Sequence, residues 1–276
     1  MPQKAGIDEQ EYVLGTSRDE LLRLGLQHQL WARYAADAWE RAGFGPGKKL
    51  LDVGCGPGYA SLDLAARVGT RGQVRAIDIS ERFVRHLQLQ TQLRGLTNIT
   101  ASVGQVERLN LSRGAFDGAY ARWVLCFVKN PAAVVSGVAR ALKTGGAFVI
   151  QDYLNYEGVM IAPNCEVFRR FFKMVADSWR MRGGNPDIGA EIPNILARCG
   201  FEVKGIKPIL RIARPDSPLW KWPETFFENY LPVLIELGLF TESDRNKFNR
   251  EWRKRTRDPN AFFVTPPMIE VIGIKR

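Results

Sequence analysis

Histidine is almost missing from this chain: His28 and His86 are the only two in 276 residues. That excludes most metal centres built on imidazole and most Ser-His-Asp hydrolase schemes, and no metal site is expected. The cysteines Cys55, Cys126, Cys165 and Cys199 form no C-x-x-C pair. Zinc ribbons and dithiol redox motifs are thereby excluded, leaving reduced, structural thiols. No uncharged apolar run reaches the ~18 residues that cross a bilayer. The opening residues, Met1 to Glu9, lack an apolar signal region, so a cytoplasmic location is expected. Acids are outnumbered by bases, 29 to 39, for a formal net charge of +10. Such a surplus fits nucleic acid, an anionic small substrate or solubility alone. It is densest from Arg245 to Arg257, interleaved with Glu251, Phe248 and Trp252, as on the solvated face of an amphipathic helix.

What the chain does have is glycine in one telling place. Leu50-Leu51-Asp52-Val53-Gly54-Cys55-Gly56-Pro57-Gly58 reads as an apolar strand running into a loop with glycine at every second position, and a helical segment follows. A loop without side chains at the carboxyl end of a strand lets a ligand lie against backbone. The N–H groups of the next helix then face an anionic group. The dinucleotide pattern G-x-G-x-x-G would need glycine where Tyr59 stands, and no Gly-Lys-Ser/Thr of a P-loop follows. A second strand, Val74 to Ile79, brings Asp78 to its end. An acid about 20 residues past a glycine loop can accept hydrogen bonds from both ribose hydroxyls. The competing assignments for this position are an exposed strand-end aspartate and a helix N-cap, with Ser80 before Glu81 as the rival cap.

The pattern D-x-G-x-G-x-G, with Leu-Asp-Val-Gly-Cys-Gly-Pro-Gly, resembles the first motif of the class I S-adenosylmethionine-dependent methyltransferases. The resemblance continues in order from about residue 48 to 153. Ile99 to Val103 resembles the third strand, followed by Gly104-Gln105-Val106; the family often has aspartate where Gln105 stands, and a glutamine carbonyl can accept the same adenine N–H bond. Phe116 to Leu125 resembles the fourth strand and the loop beside the sulfonium. Leu142 to Ile150 resembles a helix end, a Gly-Gly turn and the fifth strand. Phe127 stands where many relatives carry histidine. The resemblance implies an α/β fold: a Rossmann-like, doubly wound, seven-stranded and mostly parallel sheet with its last strand antiparallel, plus helical lid insertions. It also implies S-adenosyl-L-methionine as cofactor, with S-adenosyl-L-homocysteine as product. The cofactor-binding residues it implies are Asp52, Gly54, Cys55, Gly56, Gly58, Asp78, Ile79, Gln105, Val106 and Arg122, with Gln27 and Tyr12 from the amino-terminal segment.

The organisation expected along the chain is as follows. Residues 1–47 form a helical segment closing over the cofactor, opened by cap-like Thr16-Ser17-Arg18-Asp19-Glu20. Arg23 and Gln27 fall one turn apart on one helix face. Residues 48–153 are the cofactor-binding core, with alternating strands and helices that imply right-handed βαβ units. Residues 154–186 are a first part of a lid, where Phe168, Phe171, Phe172, Val175 and Trp179 recur at helical spacing before Gly183-Gly184-Asn185-Pro186 breaks the helix. Residues 187–215 add a core helix, Ile188 to Ala197, and a sixth strand, Phe201 to Ile212. Residues 216–260 are a second, aromatic-rich part of the lid, and residues 261–276 a final strand, Ala261 to Ile274. Most of the lid aromatics must be core; one or two facing the cofactor would line a pocket.

The chemistry then expected is in-line transfer of a methyl group to a small, partly apolar metabolite. The cofactor carries the hard part, and the protein must hold the acceptor behind the methyl in a dry site. A base is needed only if the acceptor arrives protonated. The base candidates are Asp152 and Tyr153, at the end of the fifth strand, and His28. Arg122 could pair with Asp117, with a cofactor carboxylate or with an acidic substrate. Competing readings are methylation of RNA or another polyanion, a non-catalytic cofactor-binding relative and, more distantly, a nicotinamide oxidoreductase. No Asn-Pro-Pro-Tyr tetrad and no Pro-Cys nucleophile supports a nucleic-acid partner. Nothing in the chain specifies an oligomeric state.

Overall fold

The computed structural model describes residues 18–276. Tyr12 and the cap-like Thr16-Ser17 lie outside the described residues. The chain runs α1 (Arg18–Arg41), β1 (Lys49–Val53), α2 (Tyr59–Val68), β2 (Gln73–Asp78), α3 (Glu81–Leu93), β3 (Ile99–Val103), β4 (Phe116–Arg122), α4 (Pro131–Ala141) and β5 (Leu142–Tyr153). It continues through β6 (Met160–Ala162), α5 (Glu166–Met181), α6 (Ile192–Arg198), β7 (Phe201–Ile209), β8 (Ile212–Ala213), α7 (Lys221–Glu236), α8 (Glu242–Arg257), β9 (Phe262–Val264) and β10 (Met268–Lys275).

Seven strands form one sheet in the order β3-β2-β1-β4-β5-β10-β7. The five strands from β3 to β5 are mutually parallel, and β10 runs antiparallel to both of its neighbours. Strand order reverses at β1, whose neighbours are β2 and β4, so the crevice beyond their carboxyl ends is where such a sheet binds ligands. Both faces are covered, and the two-residue pleat sorts the side chains. Along β5, Ala147 and Val149 enter a core built with α1 and α2, whereas Phe148 and Ile150 enter a larger core shared with α4, α5 and α6. Local chemistry sets the helix starts. Ser80 accepts from Phe83 N at the start of α3, Asn130 from Ala133 N at α4, and Thr241 closes a capping box with Asp244 at α8.

Two expected strands are each divided. The segment read as Phe201 to Ile212 leaves the large sheet at Ile209 and re-forms as β8, and the segment read as Ala261 to Ile274 breaks between Val264 and Met268. Pro266 and Pro267 cause the second break, because neither can donate to a ladder. The freed pieces β8 and β9 join β6 in a separate three-stranded sheet, β6-β9-β8, that the sequence did not announce. The helix expected from Ile188 is a short 3-10 turn, Ile188–Ala190, followed by α6 with Pro193 in its first turn. The Gly145-Gly146 turn sits inside β5, where the register with β4 shifts and Gly145 has φ 79°. The two stretches expected as lid hold α5, α7 and α8, which pack on one another through Phe171, Phe227 and Phe248, with ring centroids 4.8–5.3 Å apart. No helix among the described residues is long and apolar enough to cross a membrane.

Candidate active site

β1 delivers the glycine loop to the switch point. Gly54, Gly56 and Gly58 have φ of 66°, 53° and 86°, backbone that other residues rarely adopt. The three glycines differ in what surrounds them. A Cβ on Gly54 would lie 2.6 Å from Val124, and one on Gly58 would lie 2.4 Å from Leu87, so both are glycine because the fold is tight there. A Cβ on Gly56 would meet nothing within 4 Å. The middle of the loop therefore faces open space with bare backbone, the arrangement that admits a ligand. Cys55 is a buried thiol, pushed well up in pKa by burial, and is no nucleophile.

Asp78 ends β2 beside this loop and is 4% exposed. Its two oxygens accept Gly56 N at 2.7 Å and Ser80 N at 2.9 Å, so the carboxylate ties the loop to the next helix. Each oxygen keeps a second lone pair, enough for a pair of hydroxyls. Burial pushes its pKa up to about 6, against the backbone N–H bonds that favour the charge. Asp52 lies at the root of the loop, buried, accepting Ser61 Oγ at 2.6 Å; burial pushes it to about 6 as well. Ile79, Gln105 and Val106 follow β2 and β3 at the same sheet end, each partly exposed.

The base candidates are rearranged by the structure. Asp152 is 0% exposed. Its Oδ2 accepts three successive backbone N–H groups, Val124 at 3.2 Å, Leu125 at 2.9 Å and Cys126 at 3.2 Å, and its Oδ1 accepts Tyr153 N at 2.9 Å. A carboxylate so engaged is an anchor for the loop after β4, not a proton acceptor aimed at a substrate. The residue just before the anchored run, Trp123, is the only described non-glycine residue with positive φ, at 54°. Such strain persists only where the surroundings over-determine it, as this clamp does. Arg122 does not pair with Asp117, which sits at the other end of β4 and accepts Lys143 Nζ at 2.7 Å and Lys49 N at 2.8 Å. The Arg122 guanidinium instead meets His28 Nδ1 at 2.9 Å and lies 5.0 Å over the Trp123 ring. His28 Nε2 meets Asp63 Oδ2 at 2.9 Å. Arginine can only donate, so Nδ1 accepts and Nε2 carries the proton toward Asp63. His28 thus bridges α1, α2 and β4, and both ring nitrogens are occupied.

Of the three base candidates, Tyr153 alone lines a cavity. A largely apolar cleft of roughly 490 Å³, open mouth included, lies between the sheet end and α5, α7 and β9. Trp123, Phe127, Tyr153, Tyr156, Phe172, Trp179, Trp222, Phe226, Phe227 and Phe263 line it, with Arg23 and Gln27 as its charged and amide groups. Gln27 Oε1 accepts Arg23 NH1 at 3.0 Å and Trp222 Nε1 at 2.9 Å, so the expected helical pair on α1 is tied to α7. Arg23 is a buried bidentate partner of Glu20 at 2.6 and 2.7 Å, which offsets its charge. Burial pushes the Tyr153 and Tyr156 phenols well above their usual range, so both stay protonated. The aromatic lining from Trp222 to Phe263 was not assigned in the sequence, although the density of rings in 216–260 was its signal.

The fold thus sets a glycine loop and a strand-end carboxylate, the marks of a nucleotide-cofactor site, at the same sheet end as an apolar cleft. The methyltransferase-domain family model matches residues 44–198. The chain belongs to this family, the class I S-adenosylmethionine-dependent methyltransferases. Over 170 residues, 61% of this chain, it is 31% identical to an uncharacterized 37.1 kDa protein in transposon TN4556 of Streptomyces fradiae, of which it covers 48%. The chain thus spans about half the length of that relative. It is 27% identical over 226 residues to the demethylmenaquinone methyltransferase of Desulfitobacterium hafniense, covering 71% of this chain and 85% of that one. The fold is also that of the geranyl diphosphate C-methyltransferase of Streptomyces coelicolor A3(2), with a TM-score of 0.58 at 15% identity over 99% of this chain and 88% of that one.

Proposed function

We propose that the chain transfers a methyl group in line from S-adenosyl-L-methionine to a small, partly apolar metabolite, releasing S-adenosyl-L-homocysteine. The observation that carries this is that the glycine loop packs on the segment that walls the ring-lined cleft: a Cβ on Gly54 would lie 2.6 Å from Val124, next in the chain to Trp123, which lines the cleft. The residues present fit the cofactor. Arg122 NH1 and Trp123 Nε1 are buried donors without a partner among the described residues, and an amino-acid carboxylate would satisfy them. Asp78 would hold the ribose hydroxyls, and Ile79, Gln105 and Val106 the adenine end. The cofactor, when bound, supplies a methyl group activated on a positively charged sulfur.

The chain's own residues then have four tasks. The Asp152 clamp holds residues 124–126, and through them the strained Trp123, in fixed geometry. His28 fixes the orientation of Arg122 by accepting one of its N–H groups. The helices α5 and α7 exclude water from the cleft, acting as a lid. The protonated Tyr153 and Tyr156 can donate hydrogen bonds to an acceptor oxygen. A relative named demethylmenaquinone methyltransferase supports a small-molecule acceptor. The opposing reading, a polyanion acceptor, is favoured by the exposed Lys247, Arg250, Arg253 and Arg257 of α8. Label transfer from methyl-labelled S-adenosylmethionine in a cell extract decides between them. Label in small, organic-soluble molecules is the expected result; label in RNA would overturn it. Cofactor binding without any transfer across extracts would instead favour the non-catalytic relative.

A further inference from the structure

From Ile206 to Ile212 the outward positions depart from the pattern of a surface strand, while exposed Lys207 shares the side of Ile209. The inward positions are Ile209, Arg211 and Ala213; Ile209 and Ala213 are buried, and Arg211 donates to Leu30 O. The outward positions are Ile206, Pro208, Leu210 and Ile212, all apolar and all exposed, with Ile206, Leu210 and Ile212 at 53%, 53% and 63%. Outward positions on a solvated strand are ordinarily polar. The stripe continues across the small sheet. Ile212 and Met160 both pair with Val264, and cross-strand partners project from one face. Met160 is 37% exposed and Val264 partly so. The opposite face of the same sheet, Ile161, Phe263 and Ala213, is buried against the cleft side.

The surroundings are positive. From Val203 to Pro215 the chain carries Lys204, Lys207, Arg211 and Arg214 and no acid; Lys204 Nζ meets Glu202 Oε1 at 2.6 Å and Arg211 turns inward, so Lys207 and Arg214 are the rim's cations from this segment. α8 ends against this sheet, where Arg255 Nε donates to Pro163 O at 2.8 Å and Arg214 NH2 donates to Pro259 O at 2.8 Å. That contact brings the exposed Arg253 and Arg257 to the same end of the molecule, with Lys254 paired to Glu251 at 2.7 Å. Asp216 reaches Arg214 only at 3.9 Å.

We propose that this apolar stripe and its cationic rim dock the protein on an anionic lipid surface. Apolar side chains enter the headgroup boundary while flanking lysines and arginines meet acidic lipids, the pairing that interfacial proteins use. A second copy of the chain is the poorer occupant, since a two-fold contact would set the same cations against each other. Docking there would bring β9, whose Phe263 lines the cleft, to the layer in which apolar metabolites dissolve.

Co-sedimentation of the full chain with vesicles tests this without any activity assay. The expected result is binding to phosphatidylcholine vesicles containing roughly a third phosphatidylglycerol, little binding to phosphatidylcholine alone, and weakening with added salt. The double variant Leu210→Glu/Ile212→Glu should bind roughly tenfold less with its melting temperature unchanged. Should that variant fail to fold, Lys207→Glu/Arg214→Glu carries the test, with the same loss expected. Undiminished binding by the folded variants, or no anionic-lipid binding by the native chain, overturns the proposal. A native dimer that the variants convert to monomer overturns it too, by assigning the face to a second copy.

Discussion

Asp152→Asn isolates the clamp on the loop after β4. The native carboxylate accepts four backbone N–H groups at 2.9–3.2 Å in a site with 0% exposure. An asparagine oxygen has two lone pairs, so at best two of the four donors keep a partner. The amide NH2 would then point at the remaining N–H groups, donor against donor. Each orphaned buried donor costs about 1–3 kcal/mol, so two of them cost roughly 2–6 kcal/mol. The variant is isosteric and opens no cavity, so little else contributes. It sheds the cost of burying a charge, which places the expected loss near the lower end, about 2 kcal/mol. Urea unfolding with a common m-value should report that loss as a lower midpoint. With Trp123 no longer held at φ 54°, turnover should fall as well. The clamp argument is refuted if the unfolding midpoint is unmoved while turnover collapses, since that pattern belongs to a catalytic base.

Two further perturbations separate loop architecture from ligand contact. Gly56→Ala should cost only about 1 kcal/mol of stability, from its positive φ, because its Cβ enters open space; S-adenosylhomocysteine affinity, read by calorimetry, should drop at least tenfold, and unchanged affinity would move the cofactor elsewhere. Asp52, Asp78 and Asp152 are all raised from 3.8 to about 6 by burial. The folded state then binds protons more tightly than the unfolded one, so the contribution is fully present below pH 4 and is lost as pH rises through about 6. Asp52→Asn, which keeps the Ser61 bond, should flatten that decline in a pH series of urea midpoints, and an unchanged slope would contradict the assignment.

The parts of this molecule legible in the sequence are those encoded over short distances. The β1 loop announces itself because three glycines must sit at positive φ within five residues, and Asp78 because a strand delivers it a fixed distance later. The large sheet followed from apolar runs separated by helical spacing. What escaped depends on segments distant in the chain. Asp152 reads as a polar residue at a strand end, and only the folding of residues 124–126 over it turns it into a clamp. The bridge from Asp63 through His28 to Arg122 joins three segments, none of which carries a signature of the others. The small sheet escaped because β6 and β8 have three and two residues, too few for any periodicity to register.

The cleft is lined from Arg23 to Pro266, whereas the glycine loop and Asp78 lie within one early βαβ stretch. In the large sheet β7 pairs only with β10, which follows the other six strands of that sheet in the chain. The glycine loop and Asp78 are therefore made early, Arg122, Trp123 and the Asp152 clamp on β4 and β5 come next, and β9 follows well after them. The cleft has no wall at β9 until residues 262–264 arrive. A form cut short before β9 would keep the glycine loop and Asp78 and lose a wall of the cleft, so β9 and β10 are the latch that closes it.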